Sequence, residues 1–392
     1  MLLVCLGLPV LCPRGPWDEL SLWLLPFITL VYLTVWLFTP CSERQLVANR
    51  WMMAGYGLDL LFVSLQSPFW LALLWPLTHL PLLARCEDRW TRRLFLVYLG
   101  PGCLFFCIGA LGHPSSWALY SLLAGIALRK ALLPLHQWLP ALAERVPLGS
   151  LVCFLTPQLG AYAIVRLLAA HAPQQALAWF GVLALATAVY SACLAIGHRS
   201  LRAVYASLFI GQSSLVTIGL QCASHSGIAG GLAVWFSSGL ALTGWGVCIW
   251  ALEARRGRLP LDRYHGGYAR SPVLASCFLL LGLTCVGFPC SVGFLAQELL
   301  LEGTLDTYPH VGVLAALTAF LNGITILRSY FHLFCGSRQE YGYSQSIRHR
   351  ERVALILLLS LLVGFGAWPD AFFASRDRIA SNILQARHLR QP

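Results

Sequence analysis

The sequence predicts an all-α integral membrane protein, a bundle of about eleven transmembrane helices of which two are broken at prolines. Three observations predict it. First, 58% of the 392 residues are hydrophobic and 11% are charged, and the mean hydropathy is +0.69. That is more apolar surface than one soluble core can hide. Second, the apolar residues fall into runs of about 20, the length that crosses a bilayer. Third, the arginine-rich connections fall on one side once the runs are counted, as they do in membrane proteins of defined orientation. The whole chain, 1–392, reads as one polytopic membrane domain.

The runs, in order, are 21–38, 53–76, 93–112, 117–140, 149–171, 173–197, 201–220, 228–252, 272–305, 311–334 and 353–373. Backbone groups in hydrocarbon must be satisfied within the segment, so long single runs are helices and not strands. The run 117–140 contains Pro134, which removes a helical hydrogen bond and breaks the helix there. The run 272–305 is long and carries Gly287 and Pro289 at its centre, so it reads as one broken helix that crosses once. A basic tail, 376–392, follows the last run.

The four Arg-rich loops are 85–93, 198–202, 255–270 and 338–352, separated by four, two and two spans. All four then share one face. The net charge of +11 is therefore one-sided, suited to anionic lipid such as cardiolipin and not to nucleic acid, for which no basic patch with interleaved aromatics is present. The opening MLLVCLGLPVLC lacks both the positive region of a signal peptide and an amphipathic Arg/Ser pattern. The 14 cysteines form no C-x-x-C, haem or ferredoxin spacing, and Cys103/Cys107 and Cys285/Cys290 are the closest pairs. They read as small buried hydrophobes. With no nucleotide-binding glycine motif either, no cofactor is expected on this chain.

Chemistry must therefore use side chains inside the membrane, where each polar group is costly and is a functional candidate by default. The stretch RKALLPLHQWLP, residues 129–140, gathers Arg129, Lys130 and His136 around Pro134, and Lys130 is the only lysine of the chain. A desolvated lysine or histidine can release a proton, whereas arginine effectively cannot. The competing reading is that Lys130 snorkels and His136 caps a bend. Further polar groups recur span after span: Asp59, Gln158 beside Pro157, Gln212, Ser237/Ser238, and Gln297/Glu298 past Pro289, with Glu144 nearby. Together they describe a polar track with two wet hinges; singly, a Gln or Ser reads better as interhelical glue.

At this point a resemblance enters. KALLPLHQWLPALAERVPLGS followed by LGAYAIVRL resembles the H-x-W-L-P…E…P…G-S…L-G-x-Y-x-x-x-R signature of the antiporter-like subunits of respiratory complex I, which are similar to Mrp-type cation/proton antiporter subunits. EDRWTRRLFLVYLGPG, SSGLALTGWGVCIWALEARRGRLPLDRYHGGYARSP and GFPCSVGFLAQELLLEG resemble the subunit 4 branch more than subunits 2 and 5. SLRAVYASLFIGQSS resembles a D-L-K…A-Y-S-S-x-S-H/Q segment, with Arg202 at the lysine and Gln212 at the His/Gln. The likeness covers 58–305, the antiporter-like core.

The resemblance implies an antiporter-like fold and a proton pathway in the membrane arm of a proton-pumping NADH:ubiquinone oxidoreductase. NADH, FMN, Fe–S clusters and ubiquinone would sit on other subunits, with subunits 2 and 5 as neighbours. The chain itself would be a non-redox subunit without a catalytic centre. The family's first lysine falls at Arg129, with Lys130 beside it, and Pro134, His136, Trp138, Pro140 and Glu144 fit the motif. Four other key positions depart. A family glutamate falls on Val63 with Asp59 one turn earlier; a second lysine becomes Gln158; a histidine becomes Ser238; another glutamate lands on Gln297, with Glu298 about 100° around the helix. Counterparts of the family's first helices are not seen. The use of arginine for nearly every lysine, with only three asparagines, points to an organelle-encoded chain of the mitochondrial inner membrane. Two further readings stand beside this one: a structural segment that has lost pumping, and another antiporter-like paralogue such as subunit 2 or 5 or an Mrp-type antiporter subunit.

Overall fold

A computed structural model of the chain describes residues 18–40, 46–169, 171–336 and 347–388. The reading of MLLVCLGLPVLC, residues 338–346 of the last Arg-rich loop, and 389–392 of the tail lie outside them. Every regular element among the described residues is helical, with a single isolated bridge between Ser200 and Pro260.

Seven of the eleven expected spans are helical segments long and apolar enough to cross a membrane, six of them continuous: Glu19–Phe38 (α1), Arg89–Leu111, Gln174–Gly197, Leu201–Gln221, His225–Arg256 and Pro309–Phe334, with Leu148–Leu168 interrupted at Gln158. The other four are interrupted, so the count of eleven rests on pairing broken halves. The second run divides into Leu46–Ser64 (α2), Pro68–Leu77 (α3) and Leu80–Leu83 (α4). Then come α5, Arg89–Leu111, and α6, Ser116–Arg129. Past the expected break lie Trp138–Ala143 (α7), Leu148–Leu155 (α8) and Leu159–Ala163 (α9). The central helices are α10, Gln174–Gly197, α11, Leu201–Gln221, and α12, His225–Arg256. The second expected break separates Pro272–Cys285 (α13) from Val292–Thr307 (α14). The chain continues as Pro309–Phe334 (α15), His349–Ala367 (α16) and Pro369–His388 (α17).

Both expected breaks occur, and three more were not expected. At 65–67 the interrupted backbone is served from outside: Tyr162 donates its hydroxyl to the Val63 and Leu65 carbonyls, 2.9 Å each, and Ser21 donates to Val63 at 2.7 Å. At Gln158 the backbone turns left-handed (φ +48°) between α8 and α9, beside Pro157. The third corrects the run 353–373, which ends at Ala367. Pro369 disfavours helical backbone at Trp368, and the following helix departs at 74°. Much of the expected tail therefore belongs to α17, which packs across the end of the bundle with Arg376 and Arg387 buried. Arg387 donates to the carbonyls of Ala169, Leu220 and Cys222, at 2.9, 2.7 and 2.6 Å.

The Arg-rich loops meet at one end of the bundle, as the counting of spans requires. Arg145 pairs with Asp88 at 3.0 Å and Arg258 with Glu144 at 3.2 Å. Arg202 pairs with Glu253 at 2.6 Å, and Arg255 with Glu351. The Leu261 amide donates to Arg199, and Arg350 donates to the Thr39 carbonyl. At the other end, Arg166 pairs with Asp18 and Arg378 with Glu19. Between these layers α11 is buried along its whole length, and α12 from Gly227 to Leu252. Their crossing is so close that a Cβ on Gly219 would meet the Gly231 Cα at 2.5 Å. Small residues at such crossings are how membrane helices gain packing without a hydrophobic drive between them.

Candidate functional site

The site begins where α6 stops. Arg129 is its last residue and Lys130 its C-cap, so the helix ends several residues before Pro134, and Ala131 takes a left-handed conformation (φ +54°) that alanine rarely adopts. Fold contacts hold this break. The Trp138 indole donates to the Leu128 carbonyl at 3.2 Å, and the Leu133 amide to Thr187 Oγ1 at 3.0 Å. The break thereby fixes two cations inside the bundle, Arg129 at 7% and Lys130 at 4% exposure.

Lys130 reaches Gln158, the residue of the second break, with Nζ 3.4 Å from Oε1. Gly160 makes room for its stem, since a Cβ there would come within 3.0 Å of Lys130 Cγ. A cavity bounded by Arg129, Lys130, Gln158, Phe209 and Ser213 carries this pair to the wall of α11. One residue earlier on α11, Gln212 Oε1 accepts from Gln297 Nε2 at 3.3 Å. Gln297 rests on the break between α13 and α14, where Gly287 (φ +90°) has no space for a Cβ beyond the 3.1 Å that separates it from Gln297 Cγ. Buried Asn322 of α15 stands across from Gly211. Both polar side-chain atoms of Asn322, Gln158 Nε2, Gln212 Nε2 and Ser214 Oγ have no partner among the described residues. Groups of this kind are satisfied by bridging water in membrane interiors and protein cores.

Arg129 turns the other way, toward α3 and α4. It donates to Thr78 Oγ1 at 2.7 Å, has His79 ring nitrogens at 3.2 Å, and lies over Trp75 and Phe154 at 4.7 and 4.6 Å. Thr78 also lines a cleft that holds Asp59, Tyr32, Cys153 and, toward the Arg-rich end, Thr39 and Arg85. Asp59 is buried and accepts from the Tyr32 hydroxyl at 2.8 Å. The groups run from the Arg-rich end through Asp59, Thr78 and Arg129 to Lys130, and on through Gln158 and Gln212 to Gln297. Up to Lys130 the track carries ionisable groups; past it, the residues named are amides and hydroxyls.

Three residues expected on the track lie elsewhere. Glu298 is exposed on the outer face of α14 while Gln297 points in, the consequence of one residue's rotation about a helix. Glu144 and Arg202 belong to the polar layer at the Arg-rich end, held by Arg258 and Glu253; Arg202 also donates to the carbonyls of Ala143 and Val146, at 3.2 and 2.6 Å. Beyond these, His136 packs edge-on against Tyr190 of α10 at 4.9 Å, next to exposed Pro134 and Leu135. Ser237 and Ser238 bond back to Val234 of their own helix. Sequence reasoning missed Tyr32, Thr78, His79, Glu253 and Asn322. A signal for two of them was present, since Thr78 and His79 stand in an apolar run between Pro76 and Pro81.

Residues 105–322 match the family model described as NADH:quinone oxidoreductase/Mrp antiporter, TM. Among curated relatives, the NADH-quinone oxidoreductase subunit M of Rickettsia typhi is 23% identical over 272 residues, covering 68% of this chain and 55% of the relative. The NADH-ubiquinone oxidoreductase chain 4 of Debaryomyces hansenii is 24% identical over 260 residues, 63% of this chain and 54% of the relative. The chain thus spans about half the length of the curated relatives it matches. Two solved structures share the fold: respiratory complex I from Thermus thermophilus with bound NADH (TM-score 0.81, 21% identity, 95% of this chain and 85% of that one) and the Mrp complex from Dietzia sp. (TM-score 0.85, 16% identity, 95% and 86%).

Proposed function

The chain belongs to the NADH:quinone oxidoreductase/Mrp antiporter transmembrane family, and from that premise we propose that it is a membrane-arm subunit of a proton-pumping NADH:quinone oxidoreductase. It contributes a proton path and no redox centre. Flavin, Fe–S clusters and the quinone belong to other subunits, and antiporter-like chains of the subunit 2 and subunit 5 type are its neighbours. The observation that carries the reading is Lys130, a buried amine at a broken helix whose one hydrogen bond among the described residues goes to a neutral amide. Such a group changes protonation more readily than any arginine around it.

In this reading protons exchange with the Arg-rich side through the cleft at Asp59, and Thr78 and His79 connect that cleft to the Arg129–Lys130 pair. Arg129, which stays charged, sets the field at Lys130. Transfer beyond Lys130 runs over water held by Gln158, Ser213, Gln212 and Gln297. Charge arriving at one subunit biases the next. The finer location, the mitochondrial inner membrane, is supported by the biased use of arginine for lysine and is checked by organelle fractionation.

Replacing Lys130 by Met and measuring protons moved per NADH oxidised in the assembled complex tests the proposal. A lowered ratio with intact assembly is expected; an unchanged ratio defeats it. A second reading, a structural segment that no longer pumps, is favoured by one observation: Gln158, Ser238 and Gln297 stand where the resemblance places titratable groups. That reading predicts the unchanged ratio. A free-standing Mrp-type antiporter would instead move cations with no NADH oxidation.

A further inference from the structure

An apolar cavity separate from the polar track lies toward the end of the bundle opposite the Arg-rich loops. It measures about 360 Å³ and is walled by α1, α12, α16 and the start of α17, with Phe27, Leu240 and Leu361 among its lining. None of its lining residues lines the clefts at Asp59 or Lys130. Leu357, 39% exposed, marks its outward side. At the inner wall sits Arg376, 2% exposed. Its guanidinium is caged by Phe372, Trp23 and Phe236 at 3.7, 4.5 and 4.6 Å. Nη1 donates to the Phe372 carbonyl and to Ser375 Oγ, whereas Nη2 has no partner among the described residues, and no carboxylate pairs with it there.

A buried cation without a counter-charge is unfavourable in hydrocarbon, and cation–π contacts recover only a part of its lost hydration. The missing partner is an anion, and the volume behind it is apolar and lies at the lower end of the range that takes a small organic molecule, roughly 300–1,000 Å³. Anionic oxygen joined to a long apolar body is the chemistry of an acidic membrane lipid. We propose that this cavity binds an anionic phospholipid, a phosphate oxygen accepting from the free Arg376 nitrogen and an acyl chain lying between α1, α12 and α16. The lipid fastens α17 to the bundle, because Phe372 and Arg376 belong to α17 while Trp23 and Leu361 belong to the helices it crosses. This site lies apart from the Arg-rich face to which charge counting alone assigns acidic lipid, and it does not depend on whether the chain moves protons.

The test uses the full chain purified in mild detergent, stripped of lipid and reloaded with phosphatidylglycerol or with phosphatidylcholine of the same acyl chains, retention being read by native mass spectrometry. The native chain is expected to retain phosphatidylglycerol about tenfold better, because both lipids offer a phosphate oxygen but only phosphatidylglycerol brings the net charge that balances the buried cation. Arg376→Gln is expected to abolish that preference, and Leu361→Phe, which fills the cavity and spares Arg376, to lower retention of both lipids. Equal retention of the two lipids by the native chain overturns the proposal, as does undiminished preference in Arg376→Gln. Should Arg376→Gln fail to fold, the native comparison and Leu361→Phe decide. A neighbouring subunit's helix filling the cavity in the assembled complex, with no phospholipid released on extraction, also overturns it.

Discussion

Replacing Arg202 by Met isolates the part of the fold that sequence reasoning had assigned to the proton path. Arg202 donates Nε to Glu253 Oε2 at 2.7 Å and Nη1 to the carbonyls of Ala143 and Val146, tying α11, α12 and the end of α7 together. The side chains of Arg202 and Glu253 are 9% and 8% exposed. Met keeps the stem and removes the donors, leaving the Glu253 carboxylate buried. Breaking a buried pair from one side costs about 3–5 kcal/mol. Arg258, half exposed and 3.9 Å from Glu253 Oε1, takes up part of that charge, so the low end applies, about 3 kcal/mol, or roughly a 150-fold shift in the folded-to-unfolded ratio. The chain carries its own reporters, since Cys153, Cys248 and Cys285 are free and buried. Their reaction with a fluorogenic maleimide in detergent, at graded denaturant, follows unfolding directly. The double variant Arg202→Met/Glu253→Gln is expected to recover part of the loss by removing the stranded charge. A loss below about 1 kcal/mol, or no recovery in the double variant, refutes the reasoning, because either result means the pair is solvated.

Three more outcomes follow from the geometry. Glu298→Gln is expected to leave the ratio of protons moved to NADH oxidised unchanged, and Gln297→Glu to change it, as measured in the assembled complex. Gly230→Ala is expected to destabilise the chain by about 1–3 kcal/mol in the cysteine-reactivity assay, since its Cβ would meet the Leu300 amide nitrogen at 2.4 Å where α12 crosses α14. At Asp18, burial works to raise the carboxyl, but the Arg166 guanidinium and Ser21 outweigh it and hold it below the ordinary 3.8. A depressed carboxyl stabilises the fold at neutral pH and loses that contribution as pH falls through its folded-state value. Native chain should therefore lose more stability than Asp18→Asn as pH drops below 3.8; parallel acid profiles would contradict this.

Much of the architecture was legible because hydropathy and arginine placement act on whole segments. The loops at 85–93, 198–202 and 255–270 are brought to one end by the parity of crossings, and side-chain detail could not alter that. Lys130 was legible for a similar reason, since a lone lysine beside a proline in an apolar run has few bland explanations. What was not legible depends on rotation and on contacts made across the bundle. Glu298 and Gln297 are neighbours in sequence, yet the turn of about 100° between them leaves one exposed and the other buried. Asp59 becomes part of a site because Tyr32, from another helix, donates to it. The breaks at 65–67 and Gln158 lack the Gly–Pro signature at 287–289, and Tyr162, distant in sequence, sustains the first of them. Arg202 and Glu144 read as members of the proton path because their partners Glu253 and Arg258, distant in sequence, could not be paired with them beforehand.

The central claim is that Lys130 works by giving up and regaining a proton, not merely by carrying charge. Lys130→Arg keeps the charge and forbids its loss, so proton translocation per NADH in the assembled complex separates the two. The account predicts that the Arg variant pumps as poorly as the Met variant. Full pumping by Lys130→Arg would contradict it.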